Sequence, residues 1–274
     1  VATSDTGARS AWQSGWTGKN VKVGIADDFN SNGRIDIHGD RVAIIATSVA
    51  PEAVYNYVHI HLDGGQGQMS GDEAIQYFED NGYHIVNASW GVPRENMTDA
   101  QWNNHIANAV NNFSQGTEDS KIALVVYAAG NNGQECSGSR SEDCFLQQAT
   151  VDALRDAGYR AGENKIFVGS LADGTDRMAG YSVVAGDLKD DFIVAHDDVV
   201  TSGDGGGTSY AAPRVTGAAA LVRQKFPNLT GRQVKQVLLQ TANDLGVAGV
   251  DETYGHGKLS VVNALSPQGT VVPR

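Results

Sequence analysis

At 274 residues, with 41% hydrophobic side chains and a formal charge of −12, the chain reads as an acidic, soluble globular protein able to bury a sizeable core. That charge argues against nucleic acid or an anionic membrane as a partner. No apolar run approaches the roughly 18 residues of a membrane-spanning helix, and the polar start after Val1 carries no secretory-leader pattern, so an exported protein is expected here in mature form.

The elements follow in chain order. A helix is predicted near 7–15, with Trp12 and Trp16 one turn apart as packing anchors, and then the strand "VKVGIA" (21–26), which runs into Asp27 and Asp28. The polar turn "DDFNSNGRIDIHGD" leads to a helix opening at His38 (38–48), followed by the strand "AVYNYVHI" (53–60) and a helix at 72–80. "HIVNAS" (84–89) is the third strand, with Trp90 and Gly91 just beyond it, then a helix at 99–114 and the strand "KIALVVYAA" (121–129), which ends in Gly130-Asn131-Asn132-Gly133. The short loop "CSGSRSEDC" holds both cysteines, Cys136 and Cys144. Its spacing suits a local disulfide in an oxidising compartment, a reduced pair being the alternative. A helix at 148–158 and the strands "KIFVGSL" (165–171) and "DFIVAH" (191–196) precede two longer helices, 209–225 and 230–243, the second with Thr230 as its N-cap.

The strands are continuous apolar runs separated by helices. This pattern predicts one α/β domain over 1–274, a three-layer fold whose central, mostly parallel sheet is covered by helices on both faces. Ligands of such sheets bind beyond the carboxyl ends of the strands. There the sequence collects a carboxylate (Asp27), an imidazole (His38), a carboxamide (Asn131) and a hydroxyl (Ser209). These are the parts of nucleophilic acyl transfer, in the chain order Asp, His, Ser. In "GGGTSYAAPRVTG" (205–217), the glycines offer backbone freedom and close approach to a substrate, and Ser209 opens a helix whose N-terminal field favours an oxyanion. Pro213 is expected in the first turn, where no intrahelical bond is lost.

That stretch resembles the nucleophile motif of subtilisin-like serine proteases, the subtilases, which reads G-T-S-x-A-x-P. "VKVGIADD" resembles the family's aspartate strand, "HGDRVA" its histidine motif, "NASWG" its substrate-binding strand and "YAAGNNG" its oxyanion segment. "GARSAWQSGWTGKNVKVG", "NLTGRQVKQVLLQTANDLG" and "YGHGKLSVVNAL" resemble its entry and closing segments. The resemblance implies a secreted serine endopeptidase working through an acyl-enzyme, with Ser209 as nucleophile, His38 as base, Asp27 as its orienting carboxylate and Asn131 as oxyanion donor. It also implies that Ser89, Trp90 and Gly91 pair with an extended peptide, Gly91 leaving room for the P1 side chain, with Ala129 and Gly130 beside Asn131 completing the substrate-binding surface. Protein or peptide substrates are the implied partners, and an extracellular, cell-surface or bacterial periplasmic location is the implied site of action. A removed pro-segment or a C-terminal extension would also fit this family.

Several positions depart from the family's pattern. Asp40, Arg41 and Ile44 replace family residues in the histidine motif, and only eleven positions separate Asp27 from His38. The insertion that wraps a calcium ion is missing, so no cofactor is expected to be required. The turn from Asp28 matches the first nine positions of a calcium loop, but Gly39 stands where a bidentate glutamate belongs, which favours a plain polar turn. Asp28, next to the orienting aspartate as in kexin-like relatives, and Glu135, Glu142 and Asp143 raise a preference for basic residues at P1 or P2. His59 and His61 alternate on one strand but find no third metal ligand in the sequence. Two other classes stay open: a catalytically impaired binding protein with this fold, and a ligase or esterase using the same residues. An α/β-hydrolase is excluded, because no G-x-S-x-G elbow surrounds Ser209.

Overall fold

The computed structural model of the chain describes residues 6–29, 38–60, 69–91, 97–114, 123–133, 146–156, 164–197 and 206–266. Six strands form one parallel sheet: β1 (Lys22–Asp27), β2 (Val54–His59), β3 (Ile85–Ala88), β4 (Leu124–Ala128), β5 (Lys165–Leu171) and β6 (Phe192–His196). Each lies within a few residues of a predicted strand. Their order, β2-β1-β3-β4-β5-β6, reverses direction at β1. The crevice between the ends of β1 and β3 is therefore the topological switch point at which ligands of such sheets bind.

Along β4 the side chains alternate between two cores. Leu124, Val126 and Ala128 join a cluster with helices α6 (Thr208–Lys225) and α7 (Gly231–Gln240). Val125 and Tyr127 join another with Phe78 of α3 (Gly71–Asp80) and Trp102 of α4 (Asp99–Ser114). Period-two alternation with both faces apolar is what a sheet sandwiched between helices requires, and it gives the three layers expected. Helices α1 (Ala8–Gln13), α2 (His38–Val49), α5 (Leu146–Asp156) and α8 (Val261–Ala264) complete the set. Trp12 anchors as expected, its indole N–H donating to Val49 O at 2.9 Å. Thr230 caps α7 in a capping box with Gln233. Two short elements escape sequence reading, the 3-10 turn Gly186–Asp191 and α8. Neither is long enough to show a period.

Helix α6 is the central strut. Its residues from Tyr210 to Val222 are all buried, and alanine and glycine keep it slim. At Gly217 an added Cβ would lie 2.5 Å from Val49 Cβ and 3.0 Å from Ala46 O, so the α6 backbone packs closely against the Val49 side chain and Ala46 carbonyl of α2. Ala46 lies eight residues after His38, and Gly217 eight residues after Ser209. The contact therefore lies about two turns into each helix.

Gly217→Ala tests this packing. The helix gains up to about 1 kcal/mol of propensity, but overpacking a tight contact costs about 1–3 kcal/mol. Urea unfolding is expected to show a net destabilisation of up to about 2 kcal/mol.

Candidate active site

Strand β1 delivers Asp27 at its carboxyl end, and the Gly39 N–H donates to Asp28 O at 3.0 Å, tying the first turn of α2 to the strand exit. A side chain at Gly39 would strike Asp28 O at 2.6 Å, so glycine is needed for this close approach. The clamp sets His38 Nδ1 2.6 Å from Asp27 Oδ1, which also accepts the Asp28 N–H at 2.8 Å. Asp27 is 2% exposed, and its buried Oδ2 has no partner among the described residues. Burial pushes the Asp27 carboxyl above its usual range, partly offset by the His38 hydrogen bond and charge. For His38, burial alone would weaken the base. The Asp27 hydrogen bond, with the charges of Asp27 and Asp28, outweighs it and raises the imidazole above the ordinary histidine range. Facing Asp27 fixes the Nδ1 proton and leaves Nε2 as the basic atom. The ring rests 5.6 Å from that of Tyr210, the residue after Ser209.

Ser209 is the second residue of α6, and among the described residues its backbone N–H makes no hydrogen bond. Its Oγ donates to Ser89 O at 3.1 Å rather than to His38. Asn131 stands beside it: the Thr208 N–H and hydroxyl both donate to Asn131 Oδ1, at 2.9 and 3.0 Å. A backbone N–H can only donate, so the acceptor end of the carboxamide faces Thr208 and Nδ2 points away with both protons unused among the described residues. Two donors without acceptors among the described residues, Ser209 N–H and Asn131 Nδ2, thus accompany the hydroxyl at a helix N-terminus, where negative charge is favoured.

The glycine run has a different physical reason from the one expected. Gly207 has φ −177° and ψ 146°, extended backbone open to any residue. What counts at Gly206 is space, since a Cβ there would meet Tyr181 Oη at 2.1 Å and Asp197 Oδ2 at 2.2 Å. Buried Asp197 takes the Gly207 N–H at 2.7 Å and so anchors the approach to Ser209. Pro213 also departs from expectation: α6 starts at Thr208, which makes Pro213 its sixth residue, beyond the first turn.

Beside His38 opens a cleft of about 290 Å³ lined by Asp27, Asp28, His38, Ile60, Ser89 and Trp90. Trp90 is both wall and support, packing edge-on against Tyr127 at 6.2 Å. The backbone groups of Trp90 and Gly91 make no hydrogen bonds among the described residues, leaving them open to an extended chain. Gly130, by contrast, is engaged internally. At φ 114° it donates to Thr208 Oγ1 and accepts from Val183 N–H, both at 3.0 Å, while Ala129 O accepts from Gln148. His59 is not set for metal binding through Nδ1, which accepts the Phe29 N–H at 2.9 Å. Gly205, Cys136, Cys144, Glu135, Glu142, Asp143, His61 and the calcium-loop-like stretch from 30 to 37 lie outside the described residues.

Sequence reading missed Thr208 as the orienter of Asn131, Tyr210 beside His38, Asp197, and the Ser89 hydroxyl. Only the last left a signal, the position of Pro213.

A carboxylate–imidazole pair and a helix-borne serine at the switch point of a parallel sheet define an α/β protein with the parts of a serine hydrolase. The model of the subtilase family matches residues 17–257, and the chain belongs to that family, a serine endopeptidase by class. Subtilisin Savinase of Lederbergia lenta is 30% identical over 94% of this chain and 94% of its own length. An extracellular serine protease of Serratia marcescens is 45% identical over 64 residues, 23% of this chain and 6% of that protein. Among solved structures, MycP1 with its N-terminal propeptide removed superposes with a TM-score of 0.65 at 22% identity, covering 99% of this chain and 98% of its own, a likeness of fold.

If the Asp27 carboxylate holds up the basicity of His38, an NMR titration should place the His38 midpoint above the ordinary value of about 6.5. Asp27→Asn should bring it down, because the charge that favours imidazolium is gone. An unmoved midpoint would contradict the coupling.

Proposed function

We propose that the chain is a working, exported serine endopeptidase, folded as one peptidase domain, in which Ser209 Oγ attacks the peptide carbonyl. His38 Nε2 takes the hydroxyl proton and later delivers it to the leaving amine, Asp27 holds the imidazole and its charge, and water then hydrolyses the acyl-enzyme. The observation that supports this reading is the 2.6 Å Asp27–His38 bond, with Tyr210, the residue after Ser209, against the His38 ring and, among the described residues, no acceptor on the Ser209 N–H or Asn131 Nδ2. The Ser209 hydroxyl rests on Ser89 O, and such contacts commonly realign when substrate binds. Asn131 Nδ2 and Ser209 N–H are the oxyanion donors in this reading. An extended peptide pairs with Trp90 and Gly91. Nothing in this chemistry calls for a cofactor.

Asp28 supports a preference for a basic P2 residue, its carboxylate lying in the wall of the cleft beside His38. Export is supported by two cysteines spaced for a local disulfide and by the extracellular Serratia relative.

Ser209→Ala should abolish fluorophosphonate labelling and casein cleavage while the fold persists; retained labelling would remove Ser209 from the role. Loss of one oxyanion donor in subtilisin costs about 10²–10³ in kcat, and Asn131→Ala is expected to lose that much here. With peptides paired as Arg or Ala at P2, the native protein should favour Arg and Asp28→Asn should erase the difference. Equal rates for the native protein would exclude the basic preference.

A further inference from the structure

An α-helix with an internal proline has one carbonyl without its usual donor. Pro213 lacks the N–H that would reach four residues back, to the carbonyl of Ser209 itself. An acceptor left bare in this crowded region would be costly. Instead Ser89 Oγ donates to Ser209 O at 2.9 Å. Because its one proton is committed there, Ser89 Oγ must accept from its other neighbour, and Asn87 Nδ2 donates to it at 2.9 Å. Asn87 Oδ1 in turn accepts from Thr216 Oγ1 at 2.8 Å; the same hydroxyl lies 3.2 Å from Ala212 O. Asn87 and Thr216 are 0% exposed and Ser89 is 2% exposed. The donors run in one direction, Thr216 to Asn87 to Ser89 to Ser209. At the far end Ser209 Oγ returns a bond to Ser89 O.

We infer that Asn87 and Thr216, acting through the Ser89 hydroxyl, are positioning residues for Ser209. The relay ties the first turn of α6 to the end of β3, where the peptide would pair, and so fixes the hydroxyl and N–H of Ser209 relative to a bound carbonyl. Thr216 lies two helical turns from Ser209, about 10 Å along the axis, too far to touch the reacting atoms. This inference rests on reading Ser209 as the nucleophile.

Thr216→Val keeps the shape and removes the first donor, whereas Thr216→Ser keeps the hydroxyl. For Thr216→Val, kcat and the fluorophosphonate labelling rate should both fall about tenfold with KM within about twofold, as expected when a nucleophile is misplaced without loss of binding. Thr216→Ser should restore both to within about twofold of the native protein. Unchanged rates in Thr216→Val, or a loss that Thr216→Ser fails to restore, would overturn the relay.

A double-mutant cycle tests the same idea without relying on that variant, and decides alone if Thr216→Val does not fold. Pro213→Ala returns an N–H to the Ser209 carbonyl, so the loss of kcat on Ser89→Ala should be several-fold smaller in the Pro213→Ala background than in the native one. Equal losses in both backgrounds would sink the proposal. Labelling that survives Ser209→Ala would instead sink the nucleophile reading, so the two failures are told apart.

Discussion

The close approach of α2 and α6 at Gly217 is the constraint from which the site follows. α2 opens at His38 and α6 carries Ser209 as its second residue, and the two helices meet where Gly217 lies against Val49 and Ala46. Beyond that contact Tyr210 of α6, the residue after Ser209, lies against the ring of His38 at the start of α2. Parallel strands all end on one edge, and there the sheet adds Asp27 from β1, Ser89 after β3 and Asn131 after β4. A site assembled from distant parts of the chain therefore needs no unusual backbone, only one tight interhelical contact and one row of strand ends.

Much of this was legible in the sequence, for physical reasons that differ by element. Five of the six strands announced themselves because burial on both faces makes each a mostly apolar run, the edge strand β2 being half-buried to exposed, and capped amphipathic helices such as α7 carry their own start signals. The positions of Asp27, His38, Asn131 and Ser209 followed from asking what lies beyond each strand or opens each helix. What stayed hidden depends on tertiary contacts. Nothing in "GGGTS" reveals that Gly206 must be small because Asp197 and Tyr181 press on it, or that Thr208 orients the Asn131 carboxamide. Pro213 shows how a small misplacement misleads. Assigned to the first turn it asks for nothing, but as the sixth residue of α6 it leaves the Ser209 carbonyl needing a donor, and Ser89 supplies one.

The same polar groups serve both fold and site. Thr208 accepts from Gly130 N–H and donates to Asn131, so the turn after β4 is held by the helix whose first turn it faces. Asp197 at the end of β6 takes the Gly207 N–H just before α6 begins. Each bond fills a backbone or side-chain valence that burial would otherwise leave costly. Pre-organisation around Ser209 is in this sense a by-product of satisfying the start of a buried helix.

The altered histidine motif can be understood on the same terms. Arg41 sits three residues after His38, on the same side of α2, and its positive charge opposes the upward pull of Asp27 and Asp28 on the imidazole. Asp28 and Arg41 thus act on His38 with opposite sign, one from the strand exit and one from the next helical turn. The carboxylate side prevails, since Asp27 is hydrogen-bonded to the ring and buried from water that would screen it. Substitution around a catalytic-type histidine changes the balance of charges on the base while leaving its geometry to Asp27 and to the Gly39 clamp, neither of which the departures from the family motif disturb.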